Sequence, residues 1–307
     1  MSAGVMAAGL PLPLQRLPQT RGGPHPGGVL ALQICLDRRG FSCNTLDGDY
    51  GRKTRVALAT YCALKGIPVP VASGVGTVWS IYFPNEPALL TTQTITTNEV
   101  ATLVKIPTTP EGKAALKSMG YETLQEMYAE RGHLSEAMLR RLNPTLAWPN
   151  PPVGSQVVIP AFSEPPRKGP IASVLRVSLS RFEITAFGEK GDFLGLFPCS
   201  IAADKNKLPP EGELQVKNIV ARPDYTYTPD RVSKNGHVAR KLFPPGPNNP
   251  VGMSWIGLDL LGYGIHGTPK PEQIGRAESH GCFRLANWNA VRLRKLCDVG
   301  TSVIIEK

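Results

Sequence analysis

The chain has 307 residues, 41% of them hydrophobic, and a net charge of +10, enough for one large domain or two to three small ones with real cores. No stretch approaches the roughly 18 apolar residues of a membrane span, and the basic residues are scattered without a long run or an interleaved aromatic platform. Charge alone therefore fixes no nucleic-acid, lipid or polymer partner, and the 30 prolines and 31 glycines favour strands and small domains over a long helical bundle.

In MSAGVMAAGLPLPLQRLPQTRGGPHPGG, Pro11 and Pro13 interrupt the apolar run and no basic residue precedes Arg16, so no signal peptide is visible. Residues 1–27 read as a disordered leader. Cys35, Cys43, Cys62, Cys199, Cys282 and Cys297 contain no C-x-x-C spacing. The first three lie close enough for one disulfide, with three possible pairings, or for buried free thiols.

Residues 28–67 read as a first helical unit. Val29, Leu32 and Leu36 recur at helical spacing and Gly40 ends the run. A second helix after the turn DGDYG places Ala57, Tyr61 and Leu64 on one face. That turn looks like the start of a calcium loop, but Leu58 stands where the loop's acidic ligand belongs. The stretch LQICLDRRGFSCNTLDGDYGRKTRVALATYCALKG resembles the small helical peptidoglycan-binding domain family, departing from it at Tyr61-Cys62.

Residues 68–120 give no clear period and read as a connector with a few short strands. In 121–162, Leu124, Met127 and Tyr128 share a helical face, Ser135 can cap a second helix carrying Met138, Leu139 and Leu142, and Asn143-Pro144 stops it. VGSQVVIP follows as a strand. The order resembles the later three quarters of a lysin-motif (LysM) glycan-binding module whose opening strand is not recognisable. A proline-rich linker spans 163–171.

From 172 the period becomes two: Leu175, Val177 and Leu179 alternate, as do Phe182, Ile184 and Ala186, and GEKGD turns into FLGLF. Further strands are expected at 213–220 and 301–306. One helix stands out, capped by Asn287, with Ala290, Leu293, Leu296 and Cys297 on its face and Gly300 beyond its end. The reading is a multidomain α+β chain, with a mostly β domain at 172–307 behind small helical modules.

The chemistry concentrates in GYGIHGT and SHGCFRL. Cys282 adjoins His280 and follows His266; a thiol becomes a good nucleophile when a base or positive charge favours the thiolate. Gly281 lets backbone approach a substrate, and the amides of a Gly-Cys turn can hold an oxyanion. Arg284 shares a face with Cys282 in extended chain and can hold a carboxylate or steady the thiolate. Either histidine can serve as base. Zinc needs further ligands, and no other His or Cys has sensible spacing, so no metal is expected. Phe283 and Leu285 alternate with these residues as inward-packed side chains, and Cys199 reads as packing.

YGIHGTPKPEQIGRAESHGCFRLANWNAVRL resembles the L,D-transpeptidase catalytic domain family, in its His-Gly-Thr segment and its Ser-His-Gly-Cys-x-Arg signature. The resemblance reaches back through PPGPNNPVGMSWIGLDL and covers roughly 172–307. It implies a mostly β domain acting on peptidoglycan stem peptides. Cys282 then attacks the third stem residue, releases the terminal D-alanine, and passes the acyl group to an amine on another stem as a 3–3 cross-link.

Residue by residue, the resemblance makes Cys282 the nucleophile and His266 the general acid/base, with Ser279 and His280 orienting the site. Gly281 with Cys282 forms the oxyanion turn, Arg284 takes the Arg/Asn position, and Tyr263, Trp255, Gly267 and Thr268 are substrate-binding candidates. No cofactor is implied. The partners expected are peptidoglycan stem peptides and glycan, with no nucleic acid and no membrane span, and the location the bacterial cell envelope. Alternatives are an L,D-carboxypeptidase, which passes the same acyl-enzyme to water, and a non-catalytic wall-binding protein. The N-terminal modules are expected to raise effective substrate concentration, so that deleting 1–165 weakens wall binding but spares turnover.

Overall fold

The computed structural model describes residues 26–71, 74–162, 169–229, 240–279 and 281–307. The expected leader lies outside these residues up to position 25, as do most of the proline-rich linker (163–168) and His280. Helices α1 (Pro26–Arg38) and α2 (Arg52–Lys65) bury Leu32, Leu36, Ala57, Leu58 and Tyr61. The last turn of α2 closes on Gly66, at φ +64°, with the Ile67 amide bonded to the Cys62 carbonyl. Leu64, expected on the buried face, is exposed, because Leu58 and Cys62 take the inward positions.

Residues 68–120 are more structured than a connector. They form α3 (Val75–Tyr82), β1 (Leu90–Thr94), α4 (Thr97–Ala101) and α5 (Pro110–Ala114). Thr96 and Glu99 make a reciprocal capping box on α4, and Thr109 caps α5. Then α6 (Leu124–Arg131) and α7 (Glu136–Leu142) lead to β2 (Gln156–Pro160), which pairs antiparallel with β1. Strand β1 gave no signal in the sequence: its LTTQT side chains are at most half-buried and carry no apolar period. Ser135 caps α7 by accepting from the Met138 amide at 3.2 Å, as expected.

The C-terminal region contains β3 (Val174–Ser178), β4 (Glu183–Phe187), β5 (Phe193–Pro198), β6 (Ile201–Ala202), β7 (Gly212–Ala221), β8 (Tyr225–Tyr227), β9 (Lys241–Phe243), β10 (Ser254–Leu258), β11 (Gly264–His266), β12 (Ala277–Ser279), β13 (Phe283–Arg284), α8 (Asn287–Lys295) and β14 (Ser302–Glu306). Eight strands form one sheet in the order β13-β11-β10-β7-β14-β3-β4-β5. The ten-residue β7 joins its halves, pairing with β14 through its first residues and with β10 through its last. Period-two burial puts Leu175, Val177, Ile184, Ala186, Val303 and Ile305 in the core beneath it, against Ala290 and Leu293 of α8.

Asn287 does not cap α8. Ala286 occupies the cap position without a side-chain bond, and Asn287 is the first helical residue, buried and engaged elsewhere. Cys35, Cys43, Cys62, Cys199 and Cys297 are buried thiols that form no disulfide among the described residues. Among the described residues, no helix is long and apolar enough to cross a membrane.

The N-terminal helices share one core, which takes in Leu196 of β5. Phe41 bridges to Leu196, the Ser42 amide donates to the Leu196 carbonyl and the Leu196 amide to the Gly40 carbonyl. This contact covers the outer edge of the large sheet, which an isolated C-terminal domain leaves unpaired. The N-terminal region and the C-terminal sheet therefore share a direct backbone contact.

Candidate active site

Strands β11 and β13 run parallel, with Ile265 opposite Phe283 and His266 opposite Arg284. Ile265 and Phe283 are buried in the core. Alternation therefore turns Cys282 and Arg284 to the other face, where they and His266 line a cleft of about 780 Å³. Gly281, at φ +154°, sits in the turn ahead of the cysteine, and a Cβ there would meet the Lys207 carbonyl and the Tyr263 ring. The Cys282 thiol donates to the Gly262 carbonyl at 3.5 Å.

His266 is buried at the cleft base. Its Nδ1 lies 2.6 Å from the Gly267 carbonyl, and because a carbonyl only accepts, Nδ1 carries the proton. Nε2 is then left with its lone pair. Burial lowers the imidazole's pKa to about 4; the Gly267 bond opposes this and the Arg284 charge adds to it. Burial pushes the Cys282 thiol up, against the Gly264 backbone and Arg284, which lower it. Burial thus favours the neutral form of both the thiol and the His266 imidazole.

Trp255 forms part of the cleft wall and stacks on the His266 ring, with centroids 5.7 Å apart and planes at 20°. Thr268 also lines the cleft; its hydroxyl accepts from the Lys270 amide. Tyr263 does not line it: its hydroxyl donates to the Lys207 carbonyl, bracing the Gly281 turn from behind. Gly267 contributes backbone, its amide donating to the Ser254 carbonyl. Ser279 lies in β12, paired with β6, and His280 is outside the described residues.

Several cleft residues carried no signal in the sequence. Asn218, Asp224, Tyr225, Lys270 and Gln273 complete the walls. They place cations (Lys270, Arg284) and an acid (Asp224) around one opening, a set that suits a substrate bearing both charge signs. A second cleft, of about 620 Å³, lies among Arg39, Phe41, Tyr61, Tyr82 and Phe193 and holds no nucleophile paired with an imidazole. The other thiols are unsuited to attack: burial raises Cys35 and Cys297 to about 12 and Cys62 to about 11, and pushes Cys43 and Cys199 up as well.

Residues 172–305 match the YkuD family, the L,D-transpeptidase catalytic domain. The chain is 36% identical to the putative L,D-transpeptidase YqjB of Bacillus subtilis over 34% of its own length, and spans 57% of that relative. It is 27% identical to the putative L,D-transpeptidase YkuD of Bacillus licheniformis over 60% of this chain and 93% of that one. It is 30% identical to the probable L,D-transpeptidase ErfK/SrfK of Escherichia coli over 50% of each. Among solved structures, L,D-transpeptidase 3 from Mycobacterium tuberculosis superposes over 55% of this chain and 84% of that one, at 17% identity. Its TM-score is 0.35, and at that value the likeness adds nothing to the sequence matches.

Proposed function

We propose that this chain, whose residues 172–305 match the L,D-transpeptidase catalytic domain, forms 3–3 cross-links between peptidoglycan stem peptides through a Cys282 thioester. The observation that carries the reading is the placement of Cys282 and His266 in one open cleft, Cys282 immediately ahead of β13 and His266 at the end of β11. As the sulfur attacks the carbonyl of the third stem residue, its proton passes to Nε2 of His266. The amides of the Gly281-Cys282 turn receive the developing oxyanion. Collapse breaks the bond to the terminal D-alanine, whose amine leaves with the proton from His266.

The reverse sequence completes the cycle. An amine on a second stem attacks the thioester and gives its proton to His266. The thiolate leaves and is reprotonated. Arg284 and Lys270 hold stem carboxylates, Asp224 an ammonium, and Trp255 and Thr268 the adjoining backbone. Ser279 and His280 orient the turn. The helical and LysM-like N-terminal units contact the glycan, and the setting is the cell envelope.

Incubation with purified tetrapeptide-stem muropeptides, followed by mass analysis of the products, tests the reading. Cross-linked dimers with release of D-alanine are expected. Tripeptide stems alone indicate the carboxypeptidase, and unchanged substrate with retained wall binding indicates a non-catalytic protein.

A further inference from the structure

The start of α8 is tied to the N-terminal helices side chain by side chain. Asn287 Nδ2 donates to Glu130 Oε2 on α6 at 2.9 Å, and to the Pro247 carbonyl at 3.1 Å. Trp288 stacks on His133, with centroids 5.0 Å apart. Asn289 Nδ2 donates to the Ser42 hydroxyl at 2.9 Å, and Arg292 to the Asp37 carbonyl at 2.6 Å.

The Asn287 bond reaches the cleft. Its other amide end, Oδ1, accepts from the Met253 amide at 3.2 Å. That oxygen is wedged between two glycines: a Cβ on Gly252 would lie 2.0 Å from it and a Cβ on Gly267 2.3 Å. Gly267 is the residue whose carbonyl accepts the hydrogen bond from His266 Nδ1. The orientation of one side-chain amide therefore bears directly on the peptide that sets the imidazole's tautomer.

Glu130 selects that orientation. Its Oε1 accepts from the Tyr121 hydroxyl at 2.9 Å, so the ionised carboxylate, which prevails above about pH 7, offers Asn287 only an acceptor. Turned the other way, Asn287 would set its oxygen against both this carboxylate and the Pro247 carbonyl. The groups facing Glu130 are the Tyr121 hydroxyl, the Asn287 amide and the Glu126 carboxylate. Glu126 in turn accepts from Asn248 at 2.7 Å, holding the segment that leads to Gly252.

We propose that Glu130, through Asn287, is a positioning residue for the His266-Gly267 turn, making the N-terminal helical region part of the cysteine site's framework. This rests on the reading of His266 as the base. It assigns α6 a role separate from any glycan contact.

The test uses the full chain and tetrapeptide-stem muropeptide as the probe, with kcat, KM and the imidazole ¹⁵N resonances of His266 as readouts. Glu130→Ala should lower kcat about tenfold or more with KM within about threefold, and should shift the His266 resonances. Glu130→Gln, which keeps an acceptor for Asn287, should restore both. Should Glu130→Ala fail to fold, Asn287→Asp sets a carboxylate oxygen against both Glu130 and the Pro247 carbonyl and should lose turnover, and adding Glu130→Gln, which removes the first of these clashes, should recover part of it. A folded Glu130→Ala with unchanged kcat and unshifted resonances overturns the proposal, as does an Asn287→Asp chain that gains nothing from Glu130→Gln. A wild-type chain that turns nothing over refutes the transpeptidase reading instead; the resonances still report whether Glu130 positions the turn.

Discussion

Gly252→Ala separates backbone strain from misplacement of the catalytic turn. Gly252 has φ +61°, where an L side chain costs about 1–2 kcal/mol. Its new Cβ would also lie 2.0 Å from Asn287 Oδ1 and 2.7 Å from the Gly267 carbonyl carbon, against an ordinary contact of at least 3.4 Å. Restoring contact distance moves the Asn287 oxygen by about 1.4 Å and the Gly267 carbonyl carbon by about 0.7 Å, and a displacement of about 1 Å can cost roughly a hundredfold in rate. Gly66 supplies the matched control: it has φ +64°, and a Cβ there would have nothing within 4 Å. Thermal midpoints and kcat on soluble stems are measured for both variants. Both should lose a few degrees, and Gly252→Ala alone should lose kcat, by about a hundredfold. A Gly252→Ala chain with kcat within about threefold of Gly66→Ala would show that the Gly252 contact does not position the His266-Gly267 turn.

His266, lowered from 6.5 to about 4, stabilises the fold as a neutral ring; that contribution is complete above 6.5 and lost as pH falls through 4. A His266→Gln chain should lose less stability than wild type in melts between those values, and the acid limb of wild-type kcat/KM should fall near 4 and not near 6.5. Glu130 behaves oppositely in sign. Burial raises it from 4.5 to about 7, so its stability contribution is present below 4.5 and lost as pH rises through 7. Glu130→Gln should therefore gain up to about 3 kcal/mol over wild type at pH 8, narrowing towards pH 4; denaturant melts at the two pH values check it. Deleting residues 1–165 should abolish soluble, active protein, because it uncovers the β5 edge and the buried face of α8; full turnover by the truncated chain would contradict the shared framework.

What could be read from the sequence follows from how local each signal is. Alternation in Leu175-Val177 and Ile184-Ala186 and the cap at Ser135 are set by near neighbours, and they reappear as β3, β4 and α7. The Cys282, Arg284 and Phe283 facing pattern needed only a period of two. Strand β1 was hidden because its LTTQT sequence offers no alternating apolar face. Asn287 read as a cap because asparagine suits a cap by residue type, whereas its partner Glu130 lies 157 positions away. The polar cleft residues Asn218, Asp224 and Tyr225 look, in one dimension, like any solvated strand face.

The most direct measurement is the intact mass of the protein, acid-quenched during turnover of a tetrapeptide-stem muropeptide, with the modified residue mapped by digestion. An adduct equal to the donor minus D-alanine is expected on Cys282, absent from Cys282→Ala. Substrate consumption with the Cys282 peptide unmodified, or the same adduct persisting in Cys282→Ala, would contradict it.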